Sequence, residues 1–218
     1  MSNSPRPRSG WPAITGLLLL SALPVIAGLL RLGDVSDPNR ALPVALAVVI
    51  VAHIVGMSVF CLLGAFQFSP ALRSRNRWHR TAGRVVLPAG LIAAVSSIPI
   101  GALFTGTPAE VAQATVRVVF GVAMTAFLAL GAISIIRRRF TAHGAWLTRA
   151  YAIAVTGGTQ ALVLVLWAIV VGEADAFGET WLVTLGFVIN SLVAEVLIRR
   201  RSARRSFSAR ESALPVRA

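Results

Sequence analysis

Three histidines, His53, His79 and His143, are the side chains in this sequence best suited to chemistry. Imidazole ligates haem iron and metals, and it moves protons near neutral pH. His79 follows the basic run Arg73-Ser-Arg-Asn-Arg77 and precedes Arg84 by five residues. His143 follows Arg137-Arg-Arg and precedes Arg149 by six. Beside them stand one cysteine, Cys61, and Glu195, an acid in an otherwise apolar stretch. No phosphate-binding glycine loop, HExxH, CxxC or nucleophile elbow occurs, so hydrolase and ATPase readings have no support and no catalytic residue is assigned. A lone cysteine inside an apolar run forms no disulfide within the chain and reads as a small buried hydrophobe. The spacing of these residues suggests no metal site.

The elements that position these residues follow from composition. The chain has 218 residues, 56% of them hydrophobic and 13% charged, with a mean hydropathy of +0.76. Soluble domains average about 25% charged residues, so a soluble globular enzyme and a disordered chain are both excluded. Crossing the hydrocarbon core, about 30 Å thick, takes about 20 apolar residues at 1.5 Å each. Six runs qualify: Trp11–Leu30, Pro43–Phe66, Val85–Phe104, Val118–Ile136, Ala150–Val171 and Trp181–Ile198. The first exceeds the apolar core of a signal peptide, about 7–15 residues, and no clear cleavage site follows it, so it counts as a membrane helix. The expected fold class is all-α, a polytopic membrane bundle of six transmembrane helices over residues 11–198. Disordered polar tails are expected over 1–10 and 199–218, both too polar to bury a core.

The net charge of +13 comes from 21 basic residues, every one an arginine, against 8 acids. With the N-terminus inside, eighteen arginines fall on the cytoplasmic side and three, Arg31, Arg40 and Arg117, outside. That split follows the positive-inside rule and predicts both termini in the cytoplasm of a bacterial cell membrane. The five tryptophans, Trp11, Trp78, Trp146, Trp167 and Trp181, fall near helix ends as interfacial anchors. The charge is thus mainly a topology signal. The expected partners are membrane lipids, with anionic lipid at the basic C-terminal segment, and no nucleic acid.

Depth along the helices sorts the polar residues into two groups. His79 and His143 lie at the inner ends of the third and fifth helices, at similar depth, with Arg84 and Arg149 beside them. One b-type haem ligated by this pair, its propionates on the arginines, is one reading; an interfacial pair capping helices is the other. His53 lies fourteen residues, about 20 Å, from the inner helix end at Gln67. Gln160, Asn190, Ser96 and Ser97 lie about 14–18 Å in from the same side. With His53 they form a middle band that either lines a polar pocket or holds helices together. Glu195 precedes Arg199 by four residues, the favourable order for an ion pair on one helix.

The two inner loops echo each other, with the histidines 64 residues apart, as a duplicated helical hairpin would give. The motifs His53…Gly64-Ala-Phe-Gln67-Phe-Ser-Pro70…Arg73, His79-Arg80-x-x-Gly83-Arg84 and His143-x-x-Trp146-x-x-Arg149-Ala-Tyr151 carry a resemblance over residues 45–170. They resemble the bacterial domain-of-unknown-function 2306 family of predicted multi-pass membrane proteins. That resemblance implies a helical membrane protein and no particular activity. Three functions stay open: a redox or haem-associated protein using His79 and His143, a small-molecule or lipid transporter built around His53, and a non-catalytic membrane subunit. Whether the chain is an enzyme, and what its oligomeric state is, the sequence leaves open.

Overall fold

A computed structural model describes residues 10–35, 42–69, 72, 76–102 and 106–212. Residues 1–9 of the tail expected over 1–10, Arg40, Arg73, Arg75, Phe104 and the last six residues lie outside it. Among the described residues the chain forms seven helices and no strand: α1 Trp11–Val35, α2 Val44–Gln67, α3 Asn76–Ala102, α4 Pro108–Ile136, α5 Phe140–Ala154, α6 Thr156–Val170 and α7 Ala176–Ser212. Five of these, α1 to α4 and α7, are long and apolar enough to cross a membrane alone. The expected fifth span is instead a pair, α5 and α6, bent by 41° at Val155. Counting the pair as one crossing brings the total to six.

Several helices, among them α4 and α7, are longer than their apolar runs, for local reasons. α4 begins ten residues before the expected Val118 because Thr107 and Glu110 form a capping box with Pro108 in the first turn. Glu110 accepts from the Thr107 backbone N–H at 2.8 Å, and the Thr107 hydroxyl accepts from the Glu110 N–H at 3.3 Å. The first orphan amides are thereby satisfied and the helix starts there. Arg117, expected in an outer loop, is therefore a helix residue. α7 likewise does not stop at Ile198: residues 199–212 continue it as helix, where a disordered tail was expected. At 37 residues α7 is about 55 Å long, well beyond the hydrocarbon thickness.

Short connections make neighbouring helices antiparallel. Only Arg137–Arg139 separate α4 from α5, and Arg138 takes a left-handed φ of 55° as the Arg139 N–H closes back on the Ser134 carbonyl at 2.8 Å. α3 packs on α2 and α4; α5 packs on α4 and α7; α1 closes the ring against α2 and α6. Outward faces are apolar, with Leu19, Leu30, Ile92, Ile169 and Leu192 all exposed. A ring of lipid-facing side chains around a packed interior is what a membrane bundle requires.

The interior is built on small residues. A Cβ on Gly56 would stand 2.8 Å from the Ala89 carbonyl oxygen and 3.1 Å from the Ala93 nitrogen, so α2 and α3 meet backbone to backbone. A Cβ on Gly158 would overlap the Leu20 carbonyl, and one on Gly131 the Leu147 side chain. Gly64 admits the Tyr151 ring, whose hydroxyl donates to the Cys61 carbonyl at 2.7 Å. Cys61 itself is buried among Phe60, Tyr151 and Ala154, the small core hydrophobe expected of it. Gly56→Leu should therefore lower stability by about 1–3 kcal/mol through overpacking. Gly16→Ala, with nothing within 4 Å of the new methyl, should leave it unchanged. Denaturation midpoints of the two purified variants in one detergent check this contrast.

Candidate functional site

The polar residues of the middle band separate into two groups that the helices hold apart. On the α2–α3 side, His53 Nδ1 lies 2.9 Å from the Ala93 carbonyl oxygen. A carbonyl only accepts, so Nδ1 carries the proton and Nε2 of the neutral ring is left as an acceptor. Ser96 lies beside this ring, its Oγ 3.4 Å from His53 Nδ1, and donates to the Ile92 carbonyl at 2.6 Å. Ser97 donates to the Ala94 carbonyl at 2.7 Å. On the α6–α7 side, the Gln160 amide donates to the Val183 carbonyl at 3.0 Å. Asn190 accepts from the Thr159 hydroxyl at 2.9 Å and donates to the Ala152 carbonyl at 3.1 Å. Gln160 and Asn190 thus join helices, the second of the two roles open to that band.

Between these groups lies a cavity of about 350 Å³ to which all seven helices contribute. Its polar lining includes His53, Ser97, Arg117 and Thr156; Met57, Met124 and Phe187 are among its apolar walls. Gln160, Asn190 and Ser96 do not line it. Pro24 and Gly157 meet across α1 and α6, so the bend after Val155 brings the start of α6 into the wall. The stacked rings of Phe120 and Phe187, 4.0 Å apart and nearly parallel, form the seam between α4 and α7. Arg117 and Thr156 escaped the sequence reading. The capping box at Thr107 to Glu110 was a signal that could have found Arg117, because it moves the helix start to Pro108.

A second cluster stands at the basic end of the bundle. Arg149 donates from Nε to Glu195 Oε1 at 2.5 Å and from Nη2 to Oε2 at 3.0 Å, a two-pronged ion pair between α5 and α7. Glu195 was expected to pair with Arg199 on its own helix; the fork geometry of a guanidinium on the facing helix provides the partner instead. The Arg149 guanidinium also lies 4.7 Å above the Trp146 ring, which stacks on Phe127. Trp78 packs edge-on against Phe66 at the corresponding place in the α2–α3 hairpin. These two tryptophans are packed into the bundle, whereas Trp11 and Trp181 are exposed. Farther along α7, Arg205 donates to the Thr141 hydroxyl at 2.7 Å, and Arg201 reaches Thr148 at 3.5 Å.

His143 lies at this end with Nδ1 2.9 Å from the Gly131 carbonyl oxygen. His79 stands in the first turn of α3, near Trp78. The two histidines share an end of the bundle, His79 with Arg84 on α3 and His143 with Arg149 on α5, and both helices pack on α4. Among the described residues no group of three or more His, Cys, Asp or Glu side chains is placed to hold a metal ion.

These features define the class: an all-helical membrane protein whose interior carries a small, mostly apolar cavity with a few polar groups. Residues 50–198, more than half of the chain, match the family described as "Predicted membrane protein (DUF2306)", and the chain belongs to that family. No curated protein and no solved structure matches it.

The ion pair invites a direct measurement. A double-mutant cycle on Arg149→Ala and Glu195→Ala should give a coupling energy of about 1 kcal/mol, the upper part of the range for partly exposed pairs, because the contact is bidentate. Unfolding midpoints of the two single variants and the double variant supply the cycle. A coupling near zero would show that this pair does not help to hold α5 against α7.

Proposed function

We propose that this chain is a six-span protein of the bacterial cytoplasmic membrane, with both termini in the cytoplasm, that binds a small apolar or amphipathic molecule in its central cavity. Transport or lipid handling is the activity that such a site serves. The observation that carries the reading is the cavity itself: one space to which all seven helices contribute, with His53, Ser58, Ser97, Arg117 and Thr156 in a mostly apolar wall. Its volume is at the lower end of the range for small-molecule sites, about 300–1,000 Å³, and its few polar groups are of the number that fix orientation in such sites. An ionisable side chain on a membrane helix is expensive unless it faces such a space, which is where His53 and Arg117 are. The topology rests on the arginine distribution, the described basic clusters of α3, the α4–α5 turn and the far part of α7 lying at one end of the bundle.

One observation favours a second reading. The Gly131 carbonyl fixes the His143 ring through Nδ1, which is how ligating histidines are oriented, and leaves Nε2 for a ligand. A haem held by His143 and His79 would be ligated from α3 and α5, whereas the cavity collects lining residues from every helix and is the preferred site.

Ala154→Phe, which projects a ring into the cavity from α5, should abolish retention of small molecules by the purified protein while leaving its gel-filtration profile unchanged. His53→Ala should weaken retention several-fold. Native mass spectrometry of protein released from membranes reads both. An absorption spectrum taken on the same samples separates the readings: a Soret band lost in both His79→Ala and His143→Ala would transfer the function to the inner histidines.

A further inference from the structure

The basic end of the bundle presents a surface shaped by charge and hydropathy together. Contacts between helices set its levels. Gly131 of α4 meets Trp146 and Leu147 of α5. Five residues beyond that contact, about 8 Å along each axis, α4 reaches Ile136 and α5 reaches Thr141 in its first turn. Arg205 of α7 donates to the Thr141 hydroxyl at 2.7 Å. Ile136, Thr141 and the Arg205 guanidinium therefore share one level.

At that level the helices differ in character. The apolar run of α7 ends at Ile198, seven residues and about 10 Å before Arg205. α4 stays apolar to its last residue: Ile136 is 79% exposed, and Phe140, just past the turn, is 69% exposed. Guanidinium groups thus stand beside bare apolar side chains, the pairing met where acyl chains give way to phosphates.

The charge at this place is not balanced by the protein. Arg137, Arg138 and Arg139 of the α4–α5 turn and Arg201, Arg204 and Arg205 of α7 are all exposed. Hydrogen bonds hold both elements in place: the Arg139 N–H closes on the Ser134 carbonyl, and Arg201 and Arg205 reach Thr148 and Thr141. Those hydroxyls accept hydrogen bonds but neutralise no charge. Among the described side chains the acid at this end is Glu195, ten residues and about 15 Å from Arg205 along the helix, and Arg149 engages both of its oxygens.

We propose that the seam between the α4–α5 turn and the far part of α7 binds an anionic phospholipid, its phosphate between the arginines of the two elements and its acyl chains along Ile136 and Phe140. A soluble anion would use the arginines and leave the apolar side chains bare; a phospholipid engages both. The site is separate from the cavity and does not depend on what the cavity holds.

Native mass spectrometry of the full-length protein in detergent tests it, read as the affinity for the first molecule bound. The probes are phosphatidylglycerol, phosphatidylcholine with the same chains, and glycerol phosphate as a head without chains. Phosphatidylglycerol should bind at least tenfold more tightly than either of the others. Arg139→Gln and Arg205→Gln should each lower its affinity about fivefold, while Arg205→Lys, which keeps the charge and serves as the folding control, should retain most of it. Arg80→Gln, at an exposed arginine of α3 at the same end, should leave the affinity unchanged. An equal loss in Arg80→Gln, or no loss in Arg139→Gln and Arg205→Gln, would overturn the seam as a site. Glycerol phosphate binding as tightly as phosphatidylglycerol would overturn the lipid, and equal affinity for phosphatidylcholine would overturn the role of charge.

Discussion

Close backbone contact between helices is the constraint on which the rest of this structure depends. In lipid, burying one leucine against another gains little over leaving it in the bilayer, so helices associate through van der Waals contact and interhelical hydrogen bonds. Here the contacts are made where side chains are missing: Gly56 against Ala93, Gly158 against Leu20, Gly131 against Leu147 and Gly64 against Tyr151. Each lets two backbones, or a backbone and a side chain, approach within van der Waals distance. Hydrogen bonds then fix register, as Tyr151 does on the Cys61 carbonyl and Asn190 on the Ala152 carbonyl.

The cavity follows from this pattern of contact. α2 and α3 are drawn together at Gly56, α4 and α5 at Gly131, and α1 and α6 at Gly158. The cavity lies among these contacts, with the bend between α5 and α6 in its wall. The glycines that line this space also serve helix contact: a Cβ on Gly28 would meet Ile54, one on Gly101 Val118 and one on Gly121 Ser97.

The basic end of the bundle is held by charge. The Arg149–Glu195 pair and the contacts of Arg201 and Arg205 with Thr148 and Thr141 tie the far part of α7 to α5. This accounts for the helix continuing beyond the apolar run: polar residues that bury no core are still ordered when facing partners accept their hydrogen bonds. Arginines that read as a topology signal thus also serve as structural contacts.

The sequence by itself determined the class of the protein. Six apolar runs, a charge bias too strong to be accidental and the absence of any soluble-domain pattern require helices in a membrane, because nothing else satisfies the backbone there. It also determined His53 as a residue with a reason to be inside, and Cys61 as core. Tertiary structure alone decided which polar residues meet. Gln160, Asn190 and His53 share a depth, but depth counts only the rise along an axis and carries no information on which way a side chain faces or which helix it faces. Glu195 found Arg149 rather than Arg199 for the same reason. Arg117 was legible in part, through the capping box that starts its helix at Pro108, yet its place in the lining of a cavity depends on the other helices around it. Membership of a cavity is a property of several helices at once, and one strand of sequence records only each helix in turn.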